Sequence, residues 1–511
     1  MKHLLRRDFL KGMATVPFLG YFAFAHKANF LKEQEKNRSN YLKELGIDRI
    51  ETLNLKITPS DAQHSRPIRI GLIGHGWRGP VLLRALGCAH PTWIEQNTIN
   101  GKYNDEVLSF LDQEDLNVEF AGICDTFSPH AEKGIATSIN SVYPGETKAN
   151  RKPVKIYPAY REMFASGEID AVIIATPDHL HAKMAVDAAQ AGIHIYLEKP
   201  MTRTIDEAIK LRNSIKSTGV VFQLGHENRH QMSYRIAQEL VEKNVLGAIS
   251  MVETFTNRND DFGAWIRGID KQGTLETINW KEFLGDSPWQ EFDPDKYFNW
   301  QRFDEFGSGV TGNQFSHYYD CINQILHLGI PESVAALGGT YHFKDRRDIP
   351  DVLNVIFNYP GRGLSLTYDC TLKNSKFRGI SILGTDASME IENNLNIYKD
   401  SLSEKYKKIE IDPSKPLYCY FPDPRVDAVS SATALTYIKS GFGKTMIEGK
   451  ILDTTYLHIK EWIDAIRGQA TTSCNIDRGF EEAVSYILAN ISLKEKKIVM
   501  WDAVNEKVIL S

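Results

Sequence analysis

The sequence predicts an α/β protein of two domains: a parallel sheet covered on both faces, then a second α/β domain built on a large, mostly antiparallel open sheet. Three observations carry this. Continuous Val/Ile runs alternate with helical patterns up to about residue 200, the mark of a parallel sheet packed on both sides. From about residue 249 the strands alternate in polarity, which fits an antiparallel sheet with one free face. A glycine-rich turn directly follows the first buried strand.

The chain opens with "MKHLLRRDFLKGMATVPFLGYFAFAH". Arg6 and Arg7 precede Phe9 and Leu10, an apolar stretch runs from about Gly12 to Ala25, and it ends small-x-small at Ala23, Phe24 and Ala25. The stretch is shorter than the roughly 20 residues a bilayer span needs. The pattern predicts a cleavable twin-arginine signal over 1–25, which exports proteins already folded and places this one in the periplasm. A polar, loosely helical lead-in over 26–66 follows.

"IRIGLIGHGWRG" reads as a buried strand and a turn in which Gly74, Gly76 and Gly79 match G-x-G-x-x-G, with Trp77 and Arg78 between them. In that fingerprint the first glycine makes the tight turn, the second admits a pyrophosphate to the backbone and the third lets helix and strand pack closely. The phosphates then meet a helix N-terminus, here "PVLLRALG". "LNVEFAGICDTF" is the second strand, ending at Asp125. Asp125 lies more than twice the usual ~20 residues beyond the glycines. An insertion near 88–117, "GCAHPTWIEQNTINGKYND" at its start, explains the excess. An acid there binds a ribose diol and repels a 2′-phosphate, so NAD is favoured over NADP.

"DAVIIATPDHLHAKMAVDAAQAGIHIYLEKP" reads strand, turn, helix, strand. It brings Glu198, Lys199 and Pro200 to the carboxyl end of a parallel strand, where such sheets bind ligands. The first domain is expected to span 67–200 and the second 201–511. The second holds the helix "TIDEAIKLRNSIKSTG", the strand "VVFQLG" and six alternating strands from "AISMVETFT" to "ASMEIENN". It ends in two amphipathic helices, "LHIKEWIDAIRG" and "RGFEEAVSYILANISLKEKK".

Bulk properties exclude several functions. A length of 511 residues with 42% apolar and 24% charged residues is ordinary for a globular protein of two domains. A net charge of −5 argues against nucleic acid as a partner. No CxxC pair occurs, so zinc-ribbon and redox motifs have no support. His226, Glu227 and His230 spell H-E-x-x-H, but the stretch follows a strand directly, and zinc needs both histidines on one helical face. No metal is expected.

The stretches "GLIGHGWRG", "ATPDHLHA", "YLEKPMTRTIDEA", "GHENRHQMSYR" and "FNWQRFDEFGSGVTGNQFSHYYDC", with the closing "HIKEWIDAIRG" and "WD", stand in an order that resembles the Gfo/Idh/MocA oxidoreductases. That is the glucose–fructose oxidoreductase and inositol dehydrogenase family, and the resemblance runs from about residue 67 to the end. It implies a Rossmann domain, NAD between the domains, and a sugar or polyol against the open sheet. Gly74, Gly76, Trp77, Arg78, Gly79, Asp125, Pro177, His179, His181 and Glu198 are then expected near the cofactor. Lys199 should contact the reacting hydroxyl and His317 should take its proton. Asn313 stands where many members carry Asp, four residues before that histidine; an amide orients groups but holds no proton. Arg229, His230 and Trp265 are candidate sugar contacts. A homo-oligomer is expected by the same resemblance.

Free NAD is scarce outside the cytoplasm, so an exported enzyme is expected to retain its cofactor and close its redox cycle. One version oxidises one carbohydrate and reduces another. An alternative is an NAD-dependent glycosidase working through a transient keto-sugar. A third is a catalytically inactive sugar-binding subunit.

Overall fold

The computed structural model describes residues 50–59, 66–140, 152–420 except 393, and 443–511, with isolated positions at 40, 43, 142, 143 and 426. The expected export signal and most of the polar lead-in lie outside these residues. The described end of the lead-in, Glu51–Asn54, forms a single helical turn. Its backbone N–H groups at Glu51 and Thr52 donate to Glu239, each at 2.8 Å.

The first sheet comprises β1 (Ile68–Ile73), β2 (Val118–Cys124), β3 (Lys155–Ile156), β4 (Ala171–Ile174), β5 (His194–Leu197) and β6 (Phe222–Leu224). All pairings are parallel and the order is β3-β2-β1-β4-β5-β6. This is the order of two mononucleotide-binding halves meeting at β1 and β4, where the carboxyl ends open a crevice. The central strands read as unbroken Val/Ile/Leu because both faces are buried: Ile173, Ile174, Ile195 and Leu197 are fully inaccessible. Helices α1 (Gly79–Ala85) and α2 (Asp178–Gln190) follow β1 and β4. α3 (Ile205–Thr218) starts with a capping box in which the Glu207 amide donates to Thr204 Oγ1 at 3.2 Å. The sheet runs past the boundary expected at 200. β6 joins it beside β5, returned in parallel by the α3 crossover, because "VVFQLG" has a buried strand's largely apolar character.

The second sheet has ten strands: β7 (Ile249–Asn257), β8 (Ser333–Gly339), β9 (Val352–Tyr359), β10 (Leu364–Thr371), β11 (Ile380–Gly384), β12 (Ala387–Ile391), β13 (Leu395–Lys399), β14 (Tyr418–Tyr420), β15 (Val499–Asp502) and β16 (Lys507–Leu510). Their order is β14-β13-β12-β11-β7-β10-β9-β8-β15-β16. Among the described residues every pairing is antiparallel except β7 with β10, where Met251 faces Ser365. β9 and β10 alternate buried and accessible residues strictly, as one-sided burial demands. The inner face packs on α7 (Ile476–Glu495) and, through Tyr318 against Tyr368, on α5 (Ser316–Leu326); α4 (Met232–Glu242) packs on α5, and α6 (Thr454–Ile466) packs on α1. Phe315 stacks on Phe357 of β9 at 4.5 Å, and Ser492 of α7 accepts from the Ala336 amide at 2.9 Å. The outer face leaves Leu337 and Ile356 exposed.

The insertion folds as two short helices, Pro91–Gln96 and Asp105–Leu111, around a small hairpin. They enclose a satellite core of Ala89, Ile94, Val107 and Phe110. The Glu114 amide donates to Tyr456 Oη of α6 at 3.1 Å, and Arg467 donates to the Leu116 carbonyl at 2.8 Å. The insertion therefore ties the first domain to the C-terminal helices. Among the described residues no helix is long and apolar enough to cross a membrane.

Candidate functional site

A cavity of about 410 Å³ opens at the carboxyl ends of β1, β2, β4 and β5. One wall is the glycine turn. Gly74 has φ +89°, where a Cβ would also meet the Ala175 carbonyl oxygen at 2.5 Å. A Cβ on Gly79 would meet the Gly74 oxygen at 2.4 Å, which fixes how closely α1 packs against β1. Gly76 is different: around its Cβ position nothing lies nearer than His130 Cε1 at 3.9 Å. The residues thus form a cradle in which backbone, not side chain, faces a ligand, and it fits a dinucleotide pyrophosphate. Asp125 lines the same wall. Its carboxylate accepts from the His75 amide at 2.6 Å and the Phe127 amide at 2.8 Å, and its remaining lone pairs suit a ribose diol.

Arg78 enters the cavity between two carboxylates. Its Nε donates to Glu198 Oε1 at 2.7 Å, and its Nη2 lies 2.9 Å from Glu227 Oε2. The exposed Trp77 reaches across the mouth to Phe262 of the second domain, with ring centroids 5.9 Å apart.

Lys199 follows β5 and meets a π-helical turn, Thr311–Phe315, that leads into α5. Gly312 permits this approach, because a Cβ there would collide with Ser308 Cβ at 2.3 Å and touch Pro200 at 3.4 Å. Lys199 Nζ then donates to the Asn313 carbonyl at 3.2 Å. Burial lowers the Lys199 pKa, although Asp178, Glu198 and Glu227 oppose the shift. His317 lines the cavity on the first turn of α5. Burial holds it well below the ordinary imidazole range, and the positive groups Lys199 and Arg78 push it further down. A neutral imidazole beside an ammonium is a proton acceptor beside a hydrogen-bond donor.

Asp178 was not singled out by the sequence reading, although it stands inside "TPDHLHA". It is buried at the N-terminus of α2 and lines the cavity. Its Oδ2 accepts from the Ser308 amide at 2.9 Å and from Asn313 Nδ2 at 3.1 Å. Burial raises its pKa, and His181 and Lys199 counter this. The carboxylate missing at position 313 is therefore present one residue away in space, holding the Asn313 amide. The acid at the first helical position of "TPDHLHA" was the only sequence signal, and no spacing connects 178 with 313.

Pro177, Glu198 and Trp265 line the cavity. His179 and His181 do not. His179 Nε2 meets the Phe283 carbonyl at 2.6 Å, and burial lowers its pKa to about 3. His181 bridges the Pro200 and Thr176 carbonyls at 2.8 and 2.9 Å. Both point into α2's packing interface because the helix turns them away from the strand ends. They brace the walls rather than touch the space.

The proposed sugar contacts Arg229 and His230 are also placed elsewhere. Arg229 lies buried against Asp320, with Nε 2.8 and 2.9 Å from its two oxygens and Nη2 at 2.6 Å. His230 meets His458 Nδ1 at 3.1 Å and Arg235 at 2.9 Å. The H-E-x-x-H stretch is a short 3₁₀ turn, so its histidines diverge. His226 joins Asp320 and Glu482, and His230 joins His458 and Glu461. In the first cluster the Arg229 guanidinium already supplies the positive charge. Glu227 alone of this stretch lines the cavity.

The model of an oxidoreductase family's NAD-binding Rossmann fold matches residues 68–226, and that of the same family's C-terminal alpha/beta domain matches 281–500. The levoglucosan dehydrogenase of Pseudarthrobacter phenanthrenivorans is 28% identical over 192 residues, 35% of this chain and 41% of that protein. The 2,7-anhydro-N-acetylneuraminate hydratase of Mediterraneibacter gnavus is 24% identical over 197 residues, covering 38% and 43%. The chain thus spans less than half the length of these curated relatives. Among solved structures, the WlbA dehydrogenase from Bordetella pertussis, in complex with NADH and UDP-GlcNAcA, shares the fold with a TM-score of 0.54 at 18% identity, covering 86% of this chain and 99% of that one. Both domains match in chain order, and the chain belongs to the Gfo/Idh/MocA oxidoreductases, a family with an NAD-binding Rossmann domain and a C-terminal alpha/beta domain.

Proposed function

We propose that the protein oxidises a hydroxyl of a carbohydrate with NAD retained in the cavity. The observation that carries this reading is the convergence of the glycine cradle, Lys199, Asn313 and His317 on one space between the domains. NAD, when bound, supplies the hydride acceptor. Lys199 donates a hydrogen bond to the reacting oxygen and stabilises the negative charge that develops there. His317, neutral through burial, accepts the hydroxyl proton. Asp178 fixes the Asn313 amide and opposes the loss of charge that burial favours at Lys199. Trp265 offers an aromatic wall for a sugar ring.

The twin-arginine pattern supports export in the folded state to the periplasm with the cofactor inside, and hence a closed redox cycle. The experiment is to purify the mature protein without added nucleotide, release and quantify bound NAD, and follow near-ultraviolet absorbance when sugars are added. Empty protein that turns over only with excess free NAD sinks the retained-cofactor reading.

A second reading is a redox-neutral reaction through a transient keto-sugar, in which ketone formation acidifies a neighbouring C–H and a glycosidic group leaves. Similarity to an anhydroneuraminate hydratase supports it. Aglycone release from an aryl glycoside without net NADH distinguishes it from the first.

A further inference from the structure

Among the described residues, two arginines at the second-domain end of the cavity form no ion pair with a carboxylate. Arg258 follows β7, is buried, and lines the cavity. Its Nη1 donates to the Gly263 carbonyl at 3.3 Å, its Nη2 donates to Gln314 Oε1, and its Nε is buried with no partner. Asp260, the carboxylate that acts on it, accepts from the Gly263 amide at 2.7 Å instead. Arg267 also lines the cavity, and its Nε is likewise buried without a partner. Its guanidinium lies over the Phe262 ring at 5.3 Å. Among the described residues neither arginine forms an ion pair with a carboxylate.

Their placement is built. Asn299, itself buried, accepts from the Arg267 amide at 2.7 Å and donates to its carbonyl at 3.2 Å. Gln314 lies three residues before His317 and anchors Arg258 beside it. Two like charges held together without an acid are unfavourable in a protein interior. Burial depresses the Arg258 pKa, and burial with the Arg258 charge brings Arg267 to about 10. Among the described residues the other buried arginines each face a carboxylate: Arg229 has Asp320, Arg302 has Asp295 and Asp345, and Arg347 has Asp345.

We infer that the Arg258–Arg267 pair receives the carboxylate of an acidic sugar, so that the substrate is a uronic-acid type of carbohydrate rather than a neutral one. This rests on the reading that a sugar occupies the cavity. Guanidinium groups match carboxylates bidentately, and both arginines line the cavity with an Nε that has no hydrogen-bond partner among the described residues. The glycine cradle and Asp125 belong to the first-domain wall, while Phe262 beneath Arg267 meets Trp77 of that turn, so retention of NAD by Arg267→Gln is what separates a carboxylate role from a pyrophosphate one. The position beside His317 puts the carboxylate on the same sugar ring as the reacting hydroxyl.

The test is calorimetric titration of the NAD-loaded full chain with glucuronate, galacturonate, glucose and glucose 6-phosphate, for the wild type, Arg267→Gln and Arg258→Gln. At least one uronate is expected to bind about tenfold or more tightly than glucose, and Arg267→Gln is expected to erase that preference while leaving bound NAD unchanged. Equal affinity for glucose and both uronates, no binding of either uronate, or a preference for glucose 6-phosphate overturns the inference. Loss of NAD from Arg267→Gln also overturns it, since the pair would then serve the cofactor. If Arg258→Gln fails to fold, Arg267→Gln alone decides. Uronate binding that never changes nicotinamide absorbance leaves this inference standing and counts against the proposed oxidation.

Discussion

Replacing the second and third fingerprint glycines by alanine is expected to give opposite signatures. At Gly79 a Cβ would lie 2.4 Å from the Gly74 carbonyl oxygen and 3.4 Å from Leu72 Cδ2. The first contact is with backbone and cannot be relieved by a rotamer change. Gly79→Ala therefore costs about 1–3 kcal/mol of stability, the range for overpacking, with or without nucleotide. At Gly76 a Cβ meets only His130 Cε1, at an ordinary 3.9 Å, and the backbone is not left-handed. Gly76→Ala should therefore gain about 0.4–1 kcal/mol in the empty protein by restricting the unfolded chain. The same methyl group occupies the cradle, so NADH should bind about 5- to 150-fold more weakly, the same 1–3 kcal/mol expressed as affinity. Thermal unfolding without nucleotide reads the first pair of effects, and fluorescence titration with NADH reads the second. A Gly76→Ala protein that holds NADH like the wild type refutes the placement of the pyrophosphate on this turn. A Gly79→Ala protein as stable as the wild type refutes the packing argument.

Lys199→Ala is expected to lower turnover by about 10²–10⁴-fold while retaining NAD; unchanged turnover in a sugar-dependent absorbance assay removes Lys199 from the chemistry. Because the His317 pKa is depressed, His317 stays neutral as pH falls through the ordinary imidazole range, so the acid limb of kcat/KM should lie below it; a limb at or above the usual imidazole value contradicts a buried neutral base. Asp178→Asn removes the charge that opposes deprotonation of Lys199, so the alkaline limb, already below the ordinary lysine range, should move to lower pH; a limb that stays put would show that Asp178 is only a structural acceptor. Asp320→Ala strands the Arg229 guanidinium and should cost about 3–5 kcal/mol in denaturant unfolding, and if sugar affinity falls while stability does not, the assignment of Arg229 to the interior is wrong.

The sequence by itself determined the local and periodic features. The parallel sheet was legible because both of its faces are buried, which forces unbroken Val/Ile runs. The antiparallel strands were legible because only one face is buried, which forces alternation. The fingerprint was legible because Gly74 and Gly79 answer contacts within their own turn or with the neighbouring strand end. Lys199 and His317 were found through motifs whose parts lie close together in the chain. Tertiary structure decided the rest, because it depends on which side chains meet across long separations. It joined Asp178 to Asn313, turned His179 and His181 into braces, withdrew Arg229 and His230 into the interior, and left Arg258 and Arg267 facing the cavity without an acid. Nothing in a residue's type or local spacing says which of two arginines will find a carboxylate. Only the packing of β7, α5 and the loop between β7 and β8 decides that, since counter-charge is a property of neighbours in space.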